Sequence, residues 1–414
     1  MTKKELFLSK ELWEETIYHA YDKGISVALL EMLASPFYRE SIWHAFETDS
    51  YEVSIPYVGW LPKDDGTLRE VLINEELDRV VFSHVTKVYF KMYGHLVNRN
   101  CTSYQKGLSV ASTVKGVLKQ ACGLQVGVKL DLSKYFDTVP IEIIERVLHQ
   151  VSTDEGIDRV LWKYYHTNLV SEKGIVKERY KSLAQGCAFA SFLADVILKG
   201  VDEWCSENCT VYRRYSDDIL ILDADWESKL AVVENRLQSL GLTVNKKKTT
   251  IIREGEPFTF LGVSINGNTV TISPNGIQKY KKTIRGIIKR YSRMKNKRFA
   301  QEKAIDSINA FVFGSKEDRG WLSHYASVCN TVDDFRMLDN FTKNSLKKLY
   351  TGKNNYTVNQ HKTSNELLRQ MGYKSLVHFY QCYKFGKDLY KAELKRCSLM
   401  TKNKTSKSCF NFYK

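Results

Sequence analysis

Asp217 and Asp218 stand side by side in "RRYSDDILILD", between an aromatic, basic run and an unbroken aliphatic one. Most Asp-Asp pairs are solvated turn residues, but this pair abuts a segment that reads as buried strand. Two like charges in partial burial raise the pKa of at least one carboxyl unless a cation neutralises them. Carboxylate and main-chain carbonyl oxygens suit Mg²⁺, a hard ion that takes few protein ligands and keeps positions for water and phosphate. A third carboxylate is then expected from elsewhere. Asp131 in "VKLDLSKYFD" is the candidate, because it interrupts an apolar strand in the same way 86 positions earlier. Three carboxylates at the ends of adjacent strands could hold two divalent ions about 4 Å apart, activating an attacking hydroxyl and stabilising a leaving pyrophosphate.

The elements that must position these groups are legible in the hydrophobic pattern. "VYRRY" and "ILILD" read as two strands joined at Ser216-Asp217, and "GVKLDLSKYFDTVP" as a strand followed by a Pro-marked helix start. "QGCAFASFLADVILKGVDEW" is long enough for one helix. "ESKLAVVENRLQSLGL" is an amphipathic helix with Leu230, Val233, Leu237 and Leu240 on one face and Gly241 at its stop. Strand-like "TVNKKKTTII" and "PFTFLGVSI" follow. Upstream, "VGWLPKDDGTLREVLI" carries turn formers between two apolar runs, a hairpin signal, and a helical stretch covers Asp78 to Lys91. Residues 1 to 50 read as helical, with Trp13, Ile17, Ala20 and Tyr21 on one face. Together these describe an α+β lobe, a small antiparallel sheet backed by helices.

The 414 residues suffice for several lobes, each with its own apolar core. Hydrophobic residues make up 43% and charged residues 26%, which excludes a disordered chain. The longest notable uncharged stretch, Ser182 to Ala194, has 13 residues, short of the roughly 20 a membrane helix needs. The start, "MTKKELFLSKELWEE", mixes both charge signs and has no apolar stretch before a small-residue cleavage site, so a cytoplasmic protein without a membrane span is expected. Nine cysteines, mostly isolated, form no disulfide framework. Cys205 and Cys209 would share a helix face, but no second pair with zinc spacing accompanies them. The net charge of +15 is uneven. Residues 275 to 414 carry 30 Lys and Arg against 10 Asp and Glu, whereas residues 1 to 274 carry 32 against 37. In "IQKYKKTIRGIIKRYSRMKNKR", Ile277, Tyr280, Ile284, Ile287, Tyr291 and Met294 recur at steps of three or four among ten basic residues and no acid. Such a basic amphipathic helix fits nucleic acid, and a polyanionic partner is expected at the C-terminal third.

"LDLSKYFDTVP", "LAQGCAFASFLADVIL", "YSDDILIL", "GLTVNKKKT" and "FTFLGV" resemble the successive palm motifs of reverse transcriptases, in the family's order, and "PKDDGTLR" is similar to its fingers segment. The motifs span Lys63 to Gly262, about half of the chain. The resemblance implies a right-hand polymerase fold with fingers, a palm with a small antiparallel sheet, and a helical thumb. Its expected divisions are an N-terminal helical extension over 1–50, fingers over 51–125, palm over 126–274, basic thumb over 275–400 and a tail over 401–414. It implies RNA-directed DNA synthesis with two Mg²⁺ ions held by Asp131, Asp217, Asp218 and the carbonyl of Leu132. Asp217 is expected to engage the ions more directly than Asp218, since neighbouring side chains of an extended chain point to opposite faces. Lys63 and Arg69 match the residues that grip the incoming triphosphate, against the alternative of a solvated hairpin. Phe136 matches the aromatic gate that leaves no room for a 2′-hydroxyl; the alternative is Tyr135 as gate and Phe136 as core residue. Gln185 and Gly186 match the loop beside the templating pair. Lys248 matches the lysine that protonates pyrophosphate, although lysines in basic runs are more often solvated. Phe260, Leu261 and Gly262 match the primer grip, or form an ordinary buried hairpin. Lys281, Lys282, Arg285, Lys289 and Arg293 fall on the thumb helix that would contact nucleic acid.

Departures place the sequence within the family. Where group II intron enzymes read Pro-Gln-Gly and later Ser-Pro, this chain has Ala184-Gln185-Gly186 and Ser191-Phe192. It resembles stand-alone bacterial enzymes of the retron and group-II-intron-like lineage, most nearly the unknown-group, type 2 defence-associated reverse transcriptases. That likeness implies deoxynucleoside triphosphates as substrates, a structured noncoding RNA as partner and template, a cDNA product and a role against phage. A diversity-generating retroelement enzyme, a maturase-like RNA-binding protein and an RNA-copying RNA polymerase are the alternatives. The sequence sets no oligomeric state.

Overall fold

The computed structural model describes residues 1–63, 66–314 and 320–396. The expected tail over 401–414 and Asp64 and Asp65 of the first turn lie outside them. The chain divides into two compact units, one of residues 1–109 and 126–253, the other of residues 110–125 and 254 onward.

The first unit opens with helices Lys3–Leu8, Lys10–Asp22, Val27–Ala34 and Pro36–Glu47. Thr2 and Glu5 close a capping box on the first of these, satisfying amides that a helix start otherwise leaves unpaired. Lys3 is fully buried. Its ammonium donates to the Val151 carbonyl at 2.9 Å, Thr153 Oγ1 at 3.1 Å and Asp158 Oδ1 at 2.5 Å, so the charge is paired and hydrogen-bonded, the condition for burying it. Phe7 packs against Trp13, Trp43, Phe46 and His84 with ring centroids 5.0–5.5 Å apart. Trp13 and Ala20 of the expected apolar face are buried, but Tyr21, in the last turn of a helix that ends at Asp22, is 53% exposed.

Strands β1 (Tyr57–Pro62) and β2 (Leu68–Ile73) form the expected hairpin, joined in a four-stranded sheet of order β2-β1-β4-β5 by β4 (Leu169–Glu172) and β5 (Ile175–Glu178). A second sheet has the order β6-β7-β3-β8, built from β3 (Gly127–Asp131), β6 (Val211–Tyr215), β7 (Asp218–Leu222) and β8 (Thr250–Ile252). Ile219, Leu220, Ile221 and Leu222 are all buried, so β7 is covered on both faces, which is why "ILIL" shows no alternation. The apolar run read as one helix is two, Ala190–Ile197 and Lys199–Asn208, separated at Leu198 with φ −90° and ψ 9°. The lysine-rich run read as strand is mostly turn: Lys248 and Thr249 both donate backbone N–H to the Asn245 carbonyl at 3.0 Å, and only its end joins β8.

The second unit holds a meander of β9 (Phe258–Phe260), β10 (Val263–Asn266) and β11 (Thr269–Ile272) with helix Val110–Ala121 and a helical array from Pro274 to Phe385. In helix Pro274–Tyr291, Tyr280, Ile284 and Ile287 are buried, as the spacing predicts. Tyr280 shares a hydrogen bond with Thr342 at 2.9 Å. Asp339 is buried on helix Asp333–Thr351, and accepts from Tyr373, Ser375 and the amide of Leu376 at 2.8–3.1 Å, so one carboxylate ties that helix to the segment 373–376.

His84 makes the N-terminal packing pH-sensitive. It is fully buried, stacks on Trp13 at 3.9 Å and bonds Thr16 at 3.0 Å and the Phe7 carbonyl at 2.8 Å. Burial pulls its pKa down to about 3. An unfolded chain takes up this proton below about pH 6.5 while the folded one does not, so stability falls as pH drops from about 6.5 towards 3. Thermal or urea unfolding at pH 7.5 and pH 5 should show a loss on the order of 2 kcal/mol from this group. His84→Gln should flatten that component, and an unchanged pH slope would refute the assignment.

Candidate active site

Asp131 ends β3 and pairs directly with Asp218, the first residue of β7. The β6–β7 hairpin brings Tyr215 opposite Asp218, leaving Ser216 and Asp217 as a two-residue turn. Tight hairpins require positive φ in such turns, and Ser216 supplies it at φ 58°. Asp217 therefore projects at the tip beside the Asp131–Asp218 pair. The Leu132 amide donates to the Asp217 carbonyl at 3.3 Å.

The three carboxylates are half-buried or buried and feel one another. Burial raises the pKa of Asp217, and the charges of Asp218 and Asp131 raise it further. Two lysines offset the repulsion. Lys248 lies 3.0 Å from Asp131 Oδ2 and 3.1 Å from Oδ1. Lys129 lies 3.1 Å from Asp218 Oδ1. Asn245 binds Asp131 twice, its backbone N–H to the carbonyl at 2.7 Å and its side-chain amide to Oδ2 at 3.3 Å. Asp217 has no ion-pair partner among the described residues, which suits the more direct metal role the sequence assigns to it.

Among the described residues no three His, Cys, Asp or Glu side chains gather closely enough to hold an ion as they stand. The donor set nevertheless fits a hard divalent cation in its chemistry, for the mutual repulsion at Asp217 is the kind a cation relieves. The Leu132 carbonyl adds to it. Leu132 faces Val244 in an isolated antiparallel bridge, flanked by Ser133 N–H to the Thr243 carbonyl at 2.8 Å and Asn245 N–H to the Asp131 carbonyl. Its own N–H and C=O point the other way, towards the turn.

The remaining sequence-assigned residues fall into two groups. In the first unit, Lys63 and Arg69 are exposed on the β1–β2 hairpin, where Leu61 pairs with Arg69. Tyr135 is buried with its hydroxyl on the Ala194 carbonyl at 2.8 Å, whereas Phe136 is only partly buried. That leaves Phe136, not Tyr135, available as a gate. The Gln185 carbonyl accepts the Leu72 amide at 2.7 Å, fixing this loop to β2. Gly186 has φ 121°, and a Cβ there would meet the Leu72 carbonyl at 2.1 Å. Its glycine is thus required by the chain's own β2, a closer constraint than the nucleotide approach expected from sequence. In the second unit, Phe260 is fully buried at the end of β9, and Leu261 and Gly262, with φ 49° and 82°, form the β9–β10 turn. On the exposed side of helix Pro274–Tyr291, Lys281 and Arg285 lie over the Phe341 ring at 5.7 and 5.4 Å; Lys282, Lys289 and, beyond the helix end, Arg293 are exposed.

Sequence reasoning missed Lys129, Asn245 and the buried Arg214. Lys129 was recoverable, since it alternates with Val128 and Leu130 and so shares a strand face with Asp131. Arg214 was not, because a buried arginine in "RRY" reads like an exposed one.

Comparison with known proteins agrees with this geometry. Residues 61–265 match the family model described as reverse transcriptase (RNA-dependent DNA polymerase). The chain is 22% identical over 284 residues to the putative COX1/OXI3 intron 1 protein of Saccharomyces cerevisiae, covering 55% of this chain and 34% of that one. It is 22% identical over 246 residues to the retron Ec48 reverse transcriptase of Escherichia coli, covering 55% and 56%, and 21% identical over 246 residues to protein YkfC of Escherichia coli K12, covering 49% and 64%. The chain thus spans less than two thirds of the length of each of these relatives. Among solved structures it is similar to apo telomerase from Candida tropicalis, with TM-score 0.44 and 13% identity over 90% of this chain and 71% of that one. With helices and small antiparallel sheets as described, the family match gives the right-hand polymerase fold class, and residues 61–265 are a reverse transcriptase domain with distant relatives that include a retron enzyme.

Proposed function

We propose that the protein is an RNA-directed DNA polymerase that extends a primer with deoxynucleoside triphosphates. The observation that carries this reading is the direct pairing of Asp131 with Asp218 beside the turn residue Asp217, inside a reverse transcriptase domain. Asp131, Asp217 and the Leu132 carbonyl would hold Mg²⁺, with Asp218 alongside. When bound, two such ions supply polarisation of the attacking hydroxyl and neutralisation of the leaving pyrophosphate. The chain's own groups do the rest. Lys129 and Lys248 hold two carboxylates in place before substrate arrives. Lys248 is also the ammonium positioned at this site to give a proton to pyrophosphate. Lys63 and Arg69 grip the triphosphate, Phe136 excludes a 2′-hydroxyl, Phe260 to Gly262 steady the primer, and the basic helix from Lys281 to Arg293 binds the duplex backbone.

Primer extension on a primed RNA with deoxynucleotides and Mg²⁺ is the test. The pair Asp217→Ala with Asp218→Ala should lower it by about 10³-fold or more, and extension that survives would refute the mechanism. Phe136→Ala should admit ribonucleotides about tenfold or more better; unchanged rejection would remove the gate role.

The biological setting we propose is cDNA synthesis from a dedicated structured noncoding RNA, in the cytoplasm, in defence against phage. The altered motifs at Ala184-Gln185-Gly186 and Ser191-Phe192 and the likeness to a retron reverse transcriptase support it. Sequencing nucleic acid that co-purifies with the protein from its host should find one dominant structured RNA and its complementary DNA. Mutated copies of a repeat would favour a diversity-generating enzyme. RNA without cDNA would favour a maturase-like binding role, the reading that the basic helix alone would support.

A further inference from the structure

Beneath the catalytic turn lies Arg214, three residues before Asp217 and wholly buried. Its guanidinium is chelated by Asp202, Nε to Oδ1 at 2.7 Å and Nη2 to Oδ2 at 2.6 Å. Asp202 is itself fully buried on helix Lys199–Asn208. Such a two-pronged pair fixes the plane of the guanidinium and not merely its position. The donors that remain reach main-chain carbonyls: Nη1 to Ser216 at 3.2 Å and to Ala194 at 3.4 Å, and Nη2 to Asp195 at 2.8 Å. Ser216 is the left-handed residue of the turn. The Ala194 carbonyl also accepts the hydroxyl of Tyr135, neighbour of the gate residue Phe136.

The backbone of Arg214 is held as firmly as its side chain. Its N–H donates to the Asn100 carbonyl and its C=O accepts from the Thr102 amide, both at 2.9 Å, so residues 100–102 run as a short parallel bridge along β6. The same segment encloses a second buried carboxylate, that of Asp195, whose Oδ1 lies 3.7 Å from Arg214 Nη1. Ser103, Cys101 and Gln105 donate to Asp195 at 2.6, 3.2 and 3.0 Å, and Tyr104 reaches the Ser216 hydroxyl at 3.3 Å.

A pair whose sole task was stability would be an uneconomical choice, since apolar residues of similar volume are often as stable or more so in place of a buried ion pair. What apolar residues cannot do is donate to the Ser216 carbonyl. We infer that Arg214, oriented by Asp202, is a positioning residue of the polymerase reaction: it clamps the Ser216 carbonyl and so sets the turn that presents Asp217. This rests on the polymerase reading above. Arg214 touches no substrate and acts through the main chain of the turn.

The test uses the full-length protein and two variants. Arg214→Lys keeps the charge but has one ammonium where five donors stood, and cannot serve Asp202 and three carbonyls together. The paired change Arg214→Met with Asp202→Leu removes both charges and keeps the volume. In each, kcat for primer extension should fall about 100-fold, the cost of a misplaced catalytic group, while KM for the deoxynucleotide stays within about twofold. The paired variant also strips the buried Tyr212 hydroxyl and Asp195 carboxylate of partners, so it should melt below the wild type, and kcat is compared at a temperature where both are folded. Wild-type kcat in a folded paired variant would overturn the inference, because stability alone would then explain the pair. Hydrogen exchange decides independently of variant folding. In the wild type the Leu132 amide, bonded to the Asp217 carbonyl, should exchange as slowly as the amides of β3, and loop-like exchange there would overturn the clamp. A wild type with no extension activity overturns the polymerase reading instead, and leaves the exchange result to judge the clamp.

Discussion

Mutual repulsion among Asp131, Asp217 and Asp218 is the constraint around which the first unit is arranged. A sheet of β6, β7, β3 and β8 brings the three to one end, and nothing in the apolar strands beneath can solvate them. Lys129 and Lys248 instead each occupy one carboxylate, and the two contacts differ in kind. Lys129 is largely enclosed, whereas the Lys248 side chain is 63% exposed. Its partner Asp131 is only 12% exposed, so Lys248 can leave at small cost only when another cation takes its place. The enclosed Lys129 stays. The asymmetry leaves Asp218 permanently compensated and frees Asp131 and Asp217 for other partners.

Much of this was legible in sequence because it follows from local rules. The hairpin at Ser216-Asp217, the amphipathic spacing of Val233 and Leu237, and the buried face of Tyr280, Ile284 and Ile287 each depend on residues a few positions apart. What was not legible depends on partners far along the chain. Lys3 belongs to a start of mixed charge that reads as solvated, yet it is buried because Asp158 and the Val151 carbonyl, some 150 positions on, are there to receive it. The break at Leu198 is signalled only by Gly200 two positions on, within a run whose apolar content argues for continuity. Gly186 was seen as a glycine with a task, but the neighbour that forbids a side chain there, Leu72, is set by tertiary approach. At the site itself the carboxylates could be picked out because charge interrupting an apolar strand is conspicuous. Lys248 was picked out with them, and Lys129 was within reach by its alternation with Val128 and Leu130, whereas Arg214 was not, since basic residues next to aromatic ones are common on any surface.

Rigidity is distributed unevenly around the site, and the distribution matches what each part must do. The turn rests on Arg214 and Asp202, both without solvent exposure, and the loop at Gln185 is tied to β2 by a 2.7 Å backbone bond. Groups on such supports keep their geometry through a reaction. Lys63 and Arg69, by contrast, sit on an exposed hairpin whose side chains sample many rotamers. That suits the triphosphate grip proposed for them, which must release pyrophosphate as readily as it binds substrate.

The serine at position 216 shows how the two requirements meet. Glycine would adopt φ 58° without strain, and serine at that angle carries a conformational cost that neighbouring contacts must offset. Its carbonyl is held by Arg214 and its hydroxyl by Tyr104, the first contact buried and the second partly so. A glycine would keep the first and lose the second. The hydroxyl therefore ties the turn to the segment Asn100 to Gln105, which itself closes over Asp195 and the backbone of Arg214. Strain accepted at one residue is thus what couples the catalytic turn to a support lying outside its own hairpin.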